Sequence, residues 1–283
     1  MKITKFARMK ADTLFLCVVL CFLGTTKLQA QSDSPFLDRV VLDPGHGGMD
    51  PGGVSKDKKT REKDLVLEIG KFLRDKIQAE YKDDVTVWMT RETDVFVPLQ
   101  DRADFANKHH ADLFISIHIN ANNRTAPSGH SVHILGPSSN PNRDLVAGQL
   151  DVCKMENSVI LLEDDYTTKY QGFDPNDDAS TIFMTLMQSA FYEQSIYFAA
   201  LVENQLEKGP IRVRRGVEQN PFYVLWKTAM PAVLLELGFI TNDEDLSRLR
   251  KRENLEMLAQ RVFDAFVEYK KSYDESILLM VNG

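Results

Sequence analysis

The sequence predicts an α/β fold: one domain built on a twisted, mainly parallel sheet with helices on both faces, interrupted by an insertion. Three observations predict it. Short apolar runs without strict alternation, at Arg39–Leu42, Val85–Met89 and Leu113–His118, suit strands buried on both sides. Helical stretches separate them with a rhythm of about 30 residues, that of β-α units. The 283-residue chain is 43% apolar and 27% charged, ordinary globular composition that can bury a sizeable core and excludes a disordered chain. Its net charge of −7 argues against a broad nucleic-acid surface, and nucleic acid is not expected as a partner.

The first thirty residues stand apart. Lys2, Lys5, Arg8 and Lys10 precede a short apolar core, Thr13–Gly24, and Ala30 offers a small residue before the polar run Gln31–Ser34. This three-part pattern predicts a secretory signal peptide over residues 1–30; an uncleaved anchor is the alternative. Cleavage would remove five basic groups and one acid, leaving 29 against 40 and a net charge of −11 instead of −7. It would also remove Cys17 and Cys21, leaving Cys153 alone, so no disulfide framework is expected.

From Arg39 the elements follow in order. The first strand runs straight into the turn Asp43-Pro44-Gly45-His46-Gly47-Gly48. A helix over Glu62 to about Tyr81 has Leu65, Ile69, Phe72, Leu73 and Ile77 on one face. After the strand at Val85–Met89 come a helix from Leu99 to about Lys108, the strand Leu113–His118 and a fourth strand at Ser131–Leu135. The rhythm then breaks. Residues 137 to about 190 carry Pro137, Pro141, Pro175 and acidic clusters, which predicts an insertion with short helical pieces. A helix is expected from about Thr185 to Glu207, then strands at Phe222–Leu225 and Ala232–Leu235, and a closing helix from about Asn254 to Tyr273.

Metal-ligand residue types fall at the ends of three of these elements. His46 follows the first strand, Glu62 opens the next helix, and His118 ends the Leu113 strand. Carboxyl ends of parallel strands share one edge, where crevices form. Two imidazoles and one carboxylate with an open fourth position make a common catalytic zinc set. Glu236 ends an apolar strand, where a carboxylate is costly to bury without a partner. It reads either as a capping acid beside Gly238 or as a proton carrier beside the metal. Zinc would lower the pKa of a bound water from 15.7 to about 7.

Asn120, two residues beyond His118, faces the same side of an extended segment and could bind substrate or form a turn. Arg102 reads as a salt-bridge residue or as a group that positions a carboxylate. His130 and His133 should face opposite sides of their strand, which argues against a shared metal. His109 and His110 end a helix, where a cation suits the dipole.

These segments resemble a known family. Val41–Gly48, Glu62-Lys63-Asp64, Thr90–Asp94, Leu99–Asn107, Ser116–Ala121 and Pro231–Phe239 are similar, in that order, to the zinc-dependent N-acetylmuramoyl-L-alanine amidases. The resemblance runs from about residue 38 to 270 and makes residues 31–283 a zinc amidase catalytic domain. It implies Zn2+ held by His46, Glu62 and His118, with Glu236 as catalytic acid/base. It further implies cleavage of the amide between N-acetylmuramic acid and L-alanine in peptidoglycan, and a periplasmic location.

Some members of this family carry an extra helix that lies across the zinc until an activator protein moves it. The insertion here, about 137–190, occupies the corresponding place, and Lys154–Ile160 is similar to the start of that helix. The resemblance implies Glu156 as an autoinhibitory metal ligand, with Glu163 as the other candidate; a substrate-binding wall is the alternative. After Ile160 the sequence departs from the family's inhibitory segment. A zinc carboxypeptidase-like peptide hydrolase and a non-catalytic wall-binding module are the competing functions. The first would need a well-placed arginine, and the second fits poorly with a complete set of four site residues. A monomer is the default expectation.

Overall fold

A computed structural model describes residues 34–136, 153–170 and 191–282. The expected signal peptide, and the insertion apart from 153–170, lie outside the described residues. Six strands form one sheet: β1 (Arg39–Pro44), β2 (Thr86–Met89), β3 (Leu113–Asn120), β4 (His130–Ile134), β5 (Arg214–Gln219) and β6 (Ala232–Phe239), in the order β2-β1-β3-β6-β4-β5. The first four in that order are parallel, and β4 with β5 runs antiparallel to β6. The sheet is therefore mixed and mostly parallel, as expected.

Period-two alternation divides each central strand between two layers. Leu113, Ile115, Ile117 and Ile119 of β3, with Val233, Leu235 and Leu237 of β6, face one core. That core is closed by α1 (Glu62–Tyr81), α3 (Tyr192–Leu206) and the long closing helix α6 (Arg252–Asn282). Phe114, Ala232 and Leu234 face the other side, where they meet Ala106 of α2 (Leu99–Lys108) and Val224 of the short α4 (Tyr223–Trp226). On this second side the row turns polar towards the carboxyl ends of the strands, with Ser116, His118 and Glu236 all buried. A further short helix, α5 (Asp243–Leu249), follows β6, with Asn242 capping its first amides.

Two expectations need correction. Phe222–Leu225 forms no strand: it enters the helix α4. Its residues are buried together, and a short apolar run does not distinguish a strand from a buried helical turn. The strand in this region is β5, whose polar sequence Arg-Arg-Gly-Val-Glu-Gln fits a sheet edge with a largely exposed start. Of the helix expected from about Thr185, the described part begins at Tyr192. The closing helix runs further than expected, to Asn282. Within the insertion, residues 153–170 form short helical pieces, including Ser158–Leu162 and Tyr166–Lys169. Pro35–Gly283 clusters as one compact unit, and no described helix is long and apolar enough to cross a membrane.

Candidate metal centre

The turn after β1 is shaped around its histidine. His46 has φ of 59°, a left-handed conformation uncommon for a residue with a side chain. Gly45 makes room for the neighbouring ring, because a Cβ there would lie 2.3 Å from His118 Cε1. Two buried guanidiniums fix the turn from below. Arg102 donates to His46 O at 2.7 Å, to Pro44 O at 2.9 Å and to Asp43 Oδ1 at 2.8 Å. Arg91 donates to Gly45 O at 2.7 Å and to Pro44 O at 2.9 Å. Arg102 is thus a structural brace, one of the two roles its sequence position allowed.

Glu62 stands at the first residue of α1 with no exposure. Its Oε2 accepts the Gly53 amide at 2.7 Å and its Oε1 accepts the Ile119 amide at 2.8 Å. Gly52, with φ of 63°, keeps this corner open, since a Cβ there would meet both the His46 ring and Glu62 Oε2.

Three expected residues therefore meet. Glu62 Oε1 lies 3.0 Å from His46 Nε2 and 3.2 Å from His118 Nδ1. Glu156 joins them from the insertion, its Oε2 3.3 Å from His46 Nε2 and 3.1 Å from His118 Nδ1. All four donor atoms lie within 4.8 Å of one another, and all four residues are buried. Donors bound tetrahedrally to zinc at 2.0–2.1 Å would stand about 3.3 Å apart. His46 Nε2 and His118 Nδ1 are buried without a hydrogen-bond partner, so both point into the cluster with nothing else to bind. The donor set fits a divalent cation.

Electrostatics favours positive charge at this point. Burial opposes a charged imidazole, yet Glu62 and Glu156 draw the His46 pKa well above its ordinary value. The same balance, with Glu156 the main attraction, pushes His118 up to about 10. Against its own burial, the Glu62 carboxyl is held well below the usual range by His46 and His118. Two buried carboxylates thus call for cations, supplied by protons on the rings or by a metal.

Around the donors stand residues that sequence reasoning missed. Asp50 Oδ2 lies 2.7 Å from His46 Nδ1 and sets that ring's orientation. Its place four residues after His46 in the same turn was the available signal. Asn157 holds the Glu156 segment: its Oδ1 accepts the Tyr223 amide at 2.8 Å and its Nδ2 donates to Pro221 O at 3.1 Å. No periodicity in the sequence points to that contact.

Glu236 is fully buried directly across from His118 in the β3–β6 register, and neither of its oxygens has a hydrogen-bond partner among the described residues. Burial first, then the Glu156 and Glu62 carboxylates, raise its pKa well above the ordinary value, while His118 and His46 act in the opposite sense. Asn120 is buried past an irregularity in β3, with its Oδ1 unpartnered. Glu163 stays outside the donor group, paired with Tyr170 OH and Lys169 Nζ. His130 and His133 diverge: the first contacts Glu203 of α3, the second packs on Phe222 on the other side. His109 caps the end of α2. A cavity of about 20 Å3, room for about one water, lies against His46, His118 and Glu156 and is otherwise walled by residues such as Leu99, Phe222 and Leu234.

Comparison with known proteins converges on one group. The family described as N-acetylmuramoyl-L-alanine amidase matches residues 40–268. The chain is 35% identical over 244 residues to N-acetylmuramoyl-L-alanine amidase AmiC of Escherichia coli O6:H1, covering 85% of this chain and 54% of AmiC. It is 29% identical to AmiA of Escherichia coli K12, covering 83% of this chain and 77% of that one. The chain therefore spans about half of AmiC. Among solved structures, the N-acetylmuramoyl-L-alanine amidase from Clostridium difficile 630 superposes with a TM-score of 0.61 at 26% identity, covering 84% of this chain and 99% of that one. AmiC2 of Nostoc punctiforme gives 0.59 at 26% identity over 84% and 98%.

Proposed function

This chain belongs to the N-acetylmuramoyl-L-alanine amidase family, and we propose from that premise that it hydrolyses the amide joining N-acetylmuramic acid to L-alanine in peptidoglycan. The observation that carries the proposal is the meeting of His46, Glu62 and His118 donor atoms beside a buried, unpartnered Glu236.

In this reading His46, Glu62 and His118 hold zinc. Zinc bound there would polarise the scissile carbonyl and bring the pKa of water towards about 7. Asp50 fixes the His46 ring, and the backbone amides of Gly53 and Ile119 fix Glu62. Glu236 takes a proton from the attacking water and returns it to the departing L-alanine nitrogen, a role that suits a carboxyl held above its usual pKa by burial and neighbouring carboxylates. Asn120 borders this region on β3 and is assigned a substrate contact.

We further propose that Glu156 fills the fourth position in the resting enzyme. Its Oε2 stands about as close to His46 Nε2 and His118 Nδ1 as Glu62 Oε1 does, so it occupies the place of a further donor. Activity then requires a partner protein that draws the insertion away. An N-terminal signal would deliver the enzyme to the periplasm, where this substrate lies.

The test is incubation of the zinc-loaded mature chain, alone and with Glu156→Ala, with purified sacculi, followed by mass analysis of the soluble products. Stem peptides with a free L-alanine amine, lost on Glu236→Ala, are expected. Release of sugars with intact stems, or of shortened stems only, would overturn the assignment.

A further inference from the structure

A second concavity, of about 600 Å3, opens beside the metal pocket. Val54, Ala121, Thr241 and the run Asn122–Arg124 line it, and Met155, next to Glu156, closes one side. Chain neighbours tie it to the site. Val54 follows Gly53, whose amide binds Glu62, and a Cβ on Gly53 would lie 3.1 Å from Ala121 Cβ.

The wall is held in place before any ligand arrives. The Asn122 amide donates to Thr241 Oγ1 at 3.1 Å, and Asn122 Oδ1 accepts the Arg124 amide at 2.9 Å. Asn242 Nδ2 donates to Thr125 O at 2.8 Å, tying the far end of the loop to the start of α5. Such a loop presents its side chains with little left to order on binding.

Arg124 is the one ionisable side chain in this wall, and it makes no ion pair among the described residues. Arg248, Arg250 and Arg252, by contrast, pair with Glu244, Asp57 and Glu68; Arg212 and Arg215 also lack an ion pair among the described residues, but neither lines this groove. An exposed guanidinium left unpaired, in a chain of net charge −7, marks this groove as a place for an anion. The amides of Asn122 and Asn123 beside it suit peptide bonds. On the glycan side of the scissile amide peptidoglycan offers neutral hydroxyl and N-acetyl groups, whereas the stem on the other side carries carboxylates.

We propose that this groove binds the peptide stem of the substrate and that Arg124 pairs with one of its carboxylates. The proposal rests on the amidase reading and adds the side on which the peptide lies. It also makes Met155 a groove wall that shifts when the Glu156 segment withdraws.

The test is binding and turnover with soluble muropeptides whose second-residue carboxylate is either free or amidated. Binding is measured on the full chain carrying Glu156→Ala and Glu236→Ala, and turnover on the Glu156→Ala chain with Glu236 in place, each with and without Arg124→Ala. With the free carboxylate, Arg124→Ala should weaken Kd about tenfold and raise KM to match, with kcat within about twofold. Arg124→Lys should recover part of the loss. If the amidated ligand binds parent and variant alike, the second-residue carboxylate is the partner; an equal loss with the amidated ligand assigns the pairing to a carboxylate further along the stem. Equal affinity of parent and variant for both ligands, or no binding by the parent, overturns the proposal. Failure of the amidase reading shows separately, as intact sacculi after digestion by the Glu156→Ala chain with Arg124 in place.

Discussion

His118 and Glu236 are register partners on adjacent parallel strands, one an orphaned ring nitrogen and the other an orphaned carboxylate, both buried. Neither satisfies the other. Replacing Glu236 with Gln should reduce turnover by roughly 10²- to 10⁴-fold, the range for loss of a general acid/base. Zinc content by elemental analysis should stay the same, and the metal-free variant should unfold at no lower denaturant concentration, because a buried carboxyl that no hydrogen bond satisfies has gone. Loss of the metal together with activity would make Glu236 a ligand instead.

In the proposed zinc site Asp50 acts on the metal through His46. Asp50→Ala should weaken zinc binding by roughly 10- to 100-fold in competition with a chromophoric chelator. Asp50→Asn, which keeps a hydrogen-bonding side chain, should fall between the two. An unchanged affinity would reduce the 2.7 Å contact to a packing detail.

Glu156 is the insertion's contribution to the donor group. Glu156→Ala should raise basal peptide release at least tenfold, the response to about 1.4 kcal/mol of lost closure. Asn157→Ala should act in the same direction, since it frees the backbone that Tyr223 and Pro221 hold. Rates equal to those of the parent would sink the closed-state reading while leaving the hydrolase intact.

The brace under the metal turn carries a pH signature. Asp43 is buried, and although burial raises its pKa, Arg102, Thr90 and Ser116 bring it below the ordinary carboxylate value. A depressed folded pKa stabilises above the unfolded pKa of about 3.9 and ceases to do so as pH falls through the folded value. Arg102→Ala leaves Asp43 buried without its cation and should cost about 3–5 kcal/mol near neutrality. In the variant burial acts on Asp43 without the opposing guanidinium and raises its pKa, so the gap in urea midpoint between parent and variant should be largest at neutral pH and narrow as pH falls, beginning above the ordinary carboxylate value. A gap that does not change with pH would remove Asp43 from this account.

Chelation probes the same centre. Removing zinc should lower the melting temperature, because an ion that binds only the folded chain stabilises it by mass action. His46→Ala should melt as the metal-free parent does and gain nothing from added zinc. A zinc-dependent shift in that variant would place the ion elsewhere.

Much of this was legible in the chain. Unbroken apolar runs at β1, β3 and β6 announced strands buried on both faces, and the turn Gly45–Gly48 announced a place where backbone must pass close to side chains. The edge strand β5 was not legible, because it buries little and its Arg-Arg-Gly-Val-Glu-Gln sequence carries no apolar pattern. The helix at Tyr223–Trp226 was misread for the opposite reason: it is buried all round, so no periodicity marks it. Asp50 and Asn157 went unseen because each acts through one hydrogen bond to a residue chosen by the fold.

By itself the sequence determined which residue types end which elements, since burial along a strand and the turn that follows it are local matters of hydrophobicity and backbone freedom. Only the tertiary structure decided that His46, Glu62, His118 and Glu156, up to 110 positions apart, bring their donor atoms within 4.8 Å. That proximity comes from the parallel register of β1, β3 and β6 and from the insertion packed over their ends. It is the summed outcome of side-chain packing across the whole sheet, which no local stretch of chain contains.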